Sequence, residues 1–250
     1  MKRIIELSVV IGCVAVTAFA DRTWTGGGSD NYWTSAANWG GTAPVAGESL
    51  LFGGSLQLVN TNDFEAGVLF SGITLNSSAG AFVFSGNGLS LGGDVVNLSA
   101  NAATLALPLT VDVTRTINTS AGDLTCLGAI NGAGGLIKRG TKTATFAASN
   151  SYAGATSVAE GRLNITDGSA LGTTNQGTVV EIGAVLGVGN GITVDEPLSL
   201  VNYNPGSLRF YSGANTYRGL ITITGGQARV KSDCGAMQVI CGGITSLAST

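Results

Sequence analysis

Asn150-Ser151-Tyr152-Ala153-Gly154-Ala155-Thr156-Ser157-Val158 returns later in the chain as Asn215-Thr216-Tyr217-Arg218-Gly219-Leu220-Ile221-Thr222-Ile223. The match continues in register, with Gly161-Arg162-Leu163-Asn164-Ile165 set against Gly226-Gln227-Ala228-Arg229-Val230. The separation of the two copies is about three coils of a solenoid whose repeat runs roughly 20–29 residues. A sandwich or a barrel needs no internal copying. Stacked coils do, because each must present the same inward face to its neighbour.

The chain around these copies has one texture from Glu48 onward. Short runs alternate an aliphatic residue with Thr, Ser or another aliphatic, and Gly, Asn or Ser follows. Ser49-Leu50-Leu51-Phe52, Ala81-Phe82-Val83-Phe84, Thr143-Ala144-Thr145-Phe146 and Arg162-Leu163-Asn164-Ile165 are examples. This is the pattern of short strands with a period of two, separated by turn residues. No stretch after residue 20 sustains an i, i+3, i+4, i+7 stripe, so the expected fold is all-β with almost no helix. Inward positions go to Val, Ile and Leu, outward ones, Thr156 among them, to Thr and Ser. Gly and Asn are expected at the corners, where a positive φ is tolerated. The glycines shared by the copies, Gly154 with Gly219 and Gly161 with Gly226, are expected to include positive φ in each pair.

Composition narrows the function classes. Among 250 residues there are 39 glycines, no histidine and only 11% charged residues. Without histidine neither a Ser-His-Asp nor a Cys-His nucleophile can be built, nor an imidazole metal site. A net charge of −3 gives no electrostatic case for nucleic acid as a partner.

Residues 1–20 read as an export signal. Lys2 and Arg3 supply a positive start, Ile4 to Phe19 is mostly apolar, and Ala18-Phe19-Ala20 suits cleavage before Asp21. An overlapping reading takes Val10-Ile11-Gly12-Cys13 as a lipobox that would leave Cys13 lipidated. Cleavage after Ala20 removes Lys2, Arg3 and Glu6 from 12 basic and 15 acidic residues, leaving 10 and 14, or −4. Cys126, Cys234 and Cys241 remain, at spacings that match no disulfide framework or zinc motif. Pairing of Cys234 with Cys241 and burial as small apolar side chains are the two readings open to them.

A family resemblance rests on particular residues. Gly135-Leu136-Ile137-Lys138-Arg139-Gly140, Thr143 to Phe146, Asn150-x-Tyr152-x-Gly154-x-Thr156-x-Val158, Gly161-Arg162-Leu163 and Ala170-Leu171-Gly172 follow one another in a full copy over 128–174. A weaker copy over 206–231 keeps Asn215, Tyr217 and Gly219. Together they resemble the autotransporter-associated β-strand repeat family. The opening Thr23-Trp24-Thr25-Gly26-Gly27-Gly28, with Trp33 and Asn38-Trp39, looks like the start of secreted proteins carrying this repeat. The resemblance implies export, secretion or a cell-surface location, and a right-handed parallel β-helix of the passenger kind. It implies no shared catalytic residue. The organisation expected is a signal peptide at 1–20, a tryptophan- and glycine-rich cap at 21–47, and a β-helix over 48–250. Residues 232–250 look like the middle of another repeat, so the chain is expected to be a fragment, its membrane anchor supplied by a missing C-terminal segment or by Cys13.

Few residues stand out as chemistry. Trp24, Trp33 and Trp39 are all the tryptophan in the chain. They could stack on sugars or close the open end of a solenoid, where an unpaired edge is a hazard. Gly26 to Asn31 resembles a calcium-binding nonapeptide, but occurs once. Asp63 and Glu65 would share a face if they lie on a strand, whereas Asp195 and Glu196 would diverge; either pair could serve glycosidase chemistry at about 5–10 Å. Lys138, Arg139 and Lys142 form the one basic cluster. None of these is taken as catalytic, cofactor-binding or metal-ligating, and no cofactor is expected. The expected function is a non-enzymatic passenger scaffold, stalk or adhesin meeting extracellular polysaccharide or cell-surface components. The alternatives are a carbohydrate-active β-helix enzyme, whose mark would be clustered charged residues in a groove, and a glycan-binding module, whose mark would be tryptophans exposed in a plane.

Overall fold

The computed structural model describes residues 21–201, 208–224 and 227–246. The export signal, Cys13 and Gly226 lie outside the described residues. The fold is a parallel β-solenoid with almost no helix. Among the described residues the one helix is the single 3-10 turn Ala36–Trp39.

Three sides make up each coil. The first is an eleven-stranded sheet running from Asp21–Trp24 and Ser49–Phe52 through Leu136–Arg139, Thr156–Val158 and Thr178–Val180 to Ile221–Ile223 and Ile244–Ser246. The second is nine-stranded, from Val59–Asn62 through Thr143–Phe146 and Arg162–Ile165 to Val230–Ser232. The third side has two shorter sheets. One holds Val68–Phe70, Leu89–Leu91, Leu109–Thr110 and Ile130–Asn131; the other holds Thr193–Val194, Thr216–Tyr217 and Val239–Ile240. Every strand pairing among the described residues is parallel.

Register explains the sequence repeat. On the first sheet Thr156 pairs with Thr178, Thr178 with Leu198 and Leu198 with Ile221, so the second copy stands three coils after the first. On the second sheet Leu163 leads through Leu186 and Leu208 to Val230. Val230 therefore stands over Leu163 rather than Ile165, which shifts the stack by one strand period from the sequence alignment. Such a shift leaves each side chain on the face it had.

The core is a set of columns. Phe84, Leu105, Cys126, Phe146, Ile165, Val188 and Phe210 follow one another along the second sheet, all buried. Beside them run Leu124, Ala144, Leu163, Leu186 and Leu208. Burying each large member contributes about 1.5–3 kcal/mol. A lone coil leaves much of that surface in water, so stability comes from stacking.

Two corner expectations need correction. Gly161 has φ +62, as expected. Neither Gly154 nor Gly219 has a positive φ. Their need for glycine is steric: a Cβ on Gly154 would fall on the backbone of Gly134 and Gly135, and one on Gly219 on the Glu196 carbonyl. Thr156 is not outward. It is 1% exposed, and its hydroxyl lies 2.5 Å from that of Tyr152. A threonine can occupy an inward position because the tyrosine hydroxyl partners its polar atom.

Candidate functional site

The repeated Asn and Tyr build the corner between the second and first sheets. Asn150 Oδ1 accepts the Ile130 N–H at 2.8 Å, one coil back, and Nδ2 donates to the Ala170 carbonyl at 2.6 Å, one coil forward. Asn215 repeats the arrangement, accepting from Ile192 N–H at 3.0 Å and donating to Gln238 Oε1 at 2.9 Å. One carboxamide thus ties three successive coils. Tyr152 and Tyr217 fill the interior beside these corners, both fully buried.

Lys138 serves the other side of the same coil. Its ammonium donates to the carbonyls of Arg139, Gly140 and Glu160 at 2.9, 2.8 and 3.0 Å. Burial pushes its pKa down to about 8, opposed by Glu160 and then Asp123. All three donors are spent on backbone, so the Lys-x-Gly element of the repeat closes a turn. Arg139 points to solvent toward Glu160 at 3.5 Å, and Lys142 is exposed on the next turn. The three basic residues do not converge on a common point.

The tryptophans are buried, at 1%, 0% and 4% exposure for Trp24, Trp33 and Trp39. Trp24 meets Trp39 edge-on at 5.0 Å between ring centroids, and Trp33 and Trp39 both pack on Phe52. Their N–H groups are used internally: Trp33 donates to Asn60 Oδ1 and Trp39 to the Trp33 carbonyl, each at 2.7 Å. A sugar-stacking plane requires exposed ring faces, so these three rings do not provide one.

Asp30, Asp63, Asp94 and Asp123 accept hydrogen bonds from backbone amides. Asp30 accepts from Tyr32 N–H and from the Ser35 hydroxyl, which hold its pKa below the ordinary carboxylate range, the Ser35 bond most of all. Its Gly-rich segment is therefore a self-satisfied turn. Asp63 and Glu65 lie on the turn after Val59–Asn62 rather than on a strand. Asp63 accepts from Thr34 N–H at 2.8 Å, and Glu65 is exposed. Asp94 and Asp123 receive the Thr116 and Thr143 amides of the next coil at 2.7 and 2.8 Å. Asp195 and Glu196 diverge, as adjacent strand-like residues do. Asp195 binds Arg218 through two bonds of 2.7 and 2.8 Å in solvent.

Glu196 turns inward, 3% exposed. Oε1 accepts from the Thr178 hydroxyl at 3.1 Å; Oε2 and the buried Tyr217 hydroxyl have no partner among the described residues. Burial pushes the Glu196 pKa up to about 7, with the Thr178 bond opposing. Only the coil register reveals this interior polar group, because the sequence places it next to the solvent-facing Asp195.

The three cysteines are unpaired. Cys126 is in the core, where burial pushes its thiol up to about 12. Cys234 is half-buried and Cys241 exposed, so the small-apolar reading holds for Cys126 and not for Cys241. Along the first sheet the outward row Thr116, Ile137, Ser157, Val179, Ser199, Thr222 and Thr245 carries no charge. A depression over its later members is lined by Gln176, Pro197, Leu220 and Thr224 and has no charged side chain.

Residues 136–165 and 204–227 match the family model described as passenger-associated-transport-repeat. No curated protein and no solved structure matches the chain. The first match spans four successive strands, from Leu136–Arg139 to Arg162–Ile165, and includes the Lys138 and Asn150 corners. The family model thus matches the chain at two places, and these matches together with the solenoid fit a passenger-type β-helix protein.

Proposed function

We propose that this chain, built on two passenger-associated-transport-repeats, is an exported, non-enzymatic β-helix that acts as a scaffold or adhesive surface outside the cell. The observation that carries the reading is the use made of its polar residues. Asn150 and the acids Asp94 and Asp123 are spent on backbone groups of neighbouring coils, Lys138 on carbonyls of its own turn and of the next coil, and the long outward row of the first sheet is Thr, Ser and aliphatic. A hydrolase or lyase needs an acid or base free to reach substrate. A display scaffold needs a rigid stack and a long surface.

Expression of the full chain in a Gram-negative host tests this. The expected result is protein outside the inner membrane, beginning at Asp21, that leaves a panel of bacterial and plant polysaccharides uncut. Cytoplasmic protein retaining Met1 overturns the export reading. Depolymerisation that Asp195→Asn or Glu196→Gln abolishes overturns the non-enzymatic one.

A further inference from the structure

The outward face of the second sheet changes character along the stack. Its central row begins Val59, Val83, Thr104, Thr125, Thr145, Asn164 and continues Gly187, Arg209, Lys231. Arg162 lies two positions before Asn164, and Tyr211 and Asp233 two after Arg209 and Lys231, so all share that face. Gly187 and Gly189 lie beneath the tyrosine. A Cβ on Gly187 would stand 3.3 Å from Tyr211 Cδ1, and one on Gly189 would run into the ring. Neither glycine has a positive φ. Glycine inside a strand costs about 0.5–1 kcal/mol and marks a place where another group comes close. At Gly187 the group that comes closest to the Cβ position is the Asn164 carboxamide oxygen, with the Tyr211 ring next; at Gly189 it is the half-buried Tyr211 ring itself.

Charge gathers around the ring. Arg209 and Lys231 both pair with Asp233, the lysine at 2.7 Å. Arg162 is half-buried and makes no ion pair among the described residues. Burial first and the positive charge of Arg209 next hold its pKa below the ordinary value. Arg229, two positions before Lys231, shares the face as well, so the patch is four cations to one carboxylate on a chain whose net charge is −3. Asn164 Oδ1, buried beside Gly187, has no partner among the described residues.

We propose that Arg162, Arg209, Lys231 and Tyr211 form a binding site for an acidic polysaccharide, a chain of pyranose rings carrying carboxylate or sulfate groups. The apolar face of a sugar ring packs on the open face of Tyr211. The Arg162 fork, which has no ion-pair partner among the described residues, takes carboxylate or sulfate oxygens through paired N–H bonds that a lysine would not offer, while Arg209 and Lys231, held by Asp233, add charge beside it. Arg162 and Lys231 are three coils apart, roughly 14 Å at about 4.8 Å per strand spacing, so a polymer laid along the axis meets the cations in turn. The inference rests on the exported-surface reading, because such polymers are met outside the cell. It is tested on purified protein, so its failure and a failure of export are told apart.

Calorimetric titration of the purified full chain with oligogalacturonate, dextran sulfate and unmodified dextran is the experiment. At least one acidic polymer is expected to bind, more weakly as salt rises, with dextran silent. Binding by oligogalacturonate alone assigns the site to carboxylates, and by dextran sulfate alone to sulfates. Arg162→Gln and Tyr211→Ala should each weaken binding about tenfold or more, and Tyr211→Phe less than about twofold. Arg139→Gln, on the other long sheet, should change it less than about twofold; the arginine variants and Tyr211→Phe should keep the wild-type melting temperature, and Tyr211→Ala is titrated well below its own melt. The proposal is overturned if neither acidic polymer binds, if dextran binds equally, if Arg139→Gln has the same effect as Arg162→Gln, or if single-stranded DNA binds more tightly than either polymer.

Discussion

Replacing Asn150 with alanine should unseat three coils at once. The side chain is 6% exposed and links Ile130 N–H on one side to the Ala170 carbonyl on the other. Alanine reaches neither, and water has little access, so a buried donor and a buried acceptor lose their partners. Each such orphan costs about 1–3 kcal/mol, which makes the expected loss about 2–6 kcal/mol. Urea unfolding followed by circular dichroism measures it. With m near 3 kcal/mol/M, a loss of about 4 kcal/mol moves the midpoint down by about 1.3 M. Asn150→Asp separates the two bonds. It keeps an acceptor for Ile130 but sets a carboxylate against the Ala170 carbonyl, so its deficit should grow as pH rises through the carboxyl titration. Asn118→Ala is the comparison, because Asn118 faces outward and accepts only from the Ser120 hydroxyl; its cost should stay within about 0.5 kcal/mol. The corner argument fails if Asn150→Ala costs no more than Asn118→Ala.

Two further outcomes follow from the interior and the corners. Glu196 titrates near 7 in the folded chain against 4.5 for the free side chain, so the folded state keeps a proton that the unfolded state has released between those values. Stability should fall as pH rises from about 4.5 to about 7 and level off above, and Glu196→Gln should remove a pH-dependent change on the order of 3 kcal/mol; urea midpoints at pH 4.5 and 8 that move alike in both proteins would refute this. Gly154→Ala should cost at least about 3 kcal/mol, since its Cβ meets backbone. Gly183→Ala, with φ +79 and open space around it, should cost about 1–2 kcal/mol, and the reverse order in thermal melts would show that backbone conformation outweighs close stacking.

The solenoid was legible because its physics is repetitive. Alternating aliphatic runs give strands, and Asn150 returns as Asn215 because three coils bring the chain back to the same corner. What the sequence hid follows from register. Val230 stands over Leu163 because the second sheet uses a slightly longer stretch of chain to advance three coils, Leu163 to Val230, than the first does from Thr156 to Ile221. Thr156 reads as an outward residue until Tyr152 is seen beside it. Gly154 reads as a corner needing positive φ, although the crowding is between coils. The Arg162–Tyr211 patch was illegible for the same reason. Its members come from separate coils, and the one local signal, Gly187 inside a strand and Gly189 just after it, has no meaning until Tyr211 lies over it. The tryptophans were visible as a group, but their burial depends on Phe52, which comes from the next turn of the chain.

That aromatic group makes the molecule optically lopsided. All three indoles lie within the first coil, in edge contact with one another and with Phe52, while the columns further along are aliphatic with scattered Phe and Tyr. Tryptophan emission therefore reports on one end of the rod and on nothing beyond it, whereas circular dichroism averages over every strand. A stack that frays from its far end will lose ellipticity while its fluorescence stays native, and one that opens at Asp21–Trp24 will do the opposite. The two signals, recorded on the same sample, form a built-in ruler for the direction in which the rod comes apart.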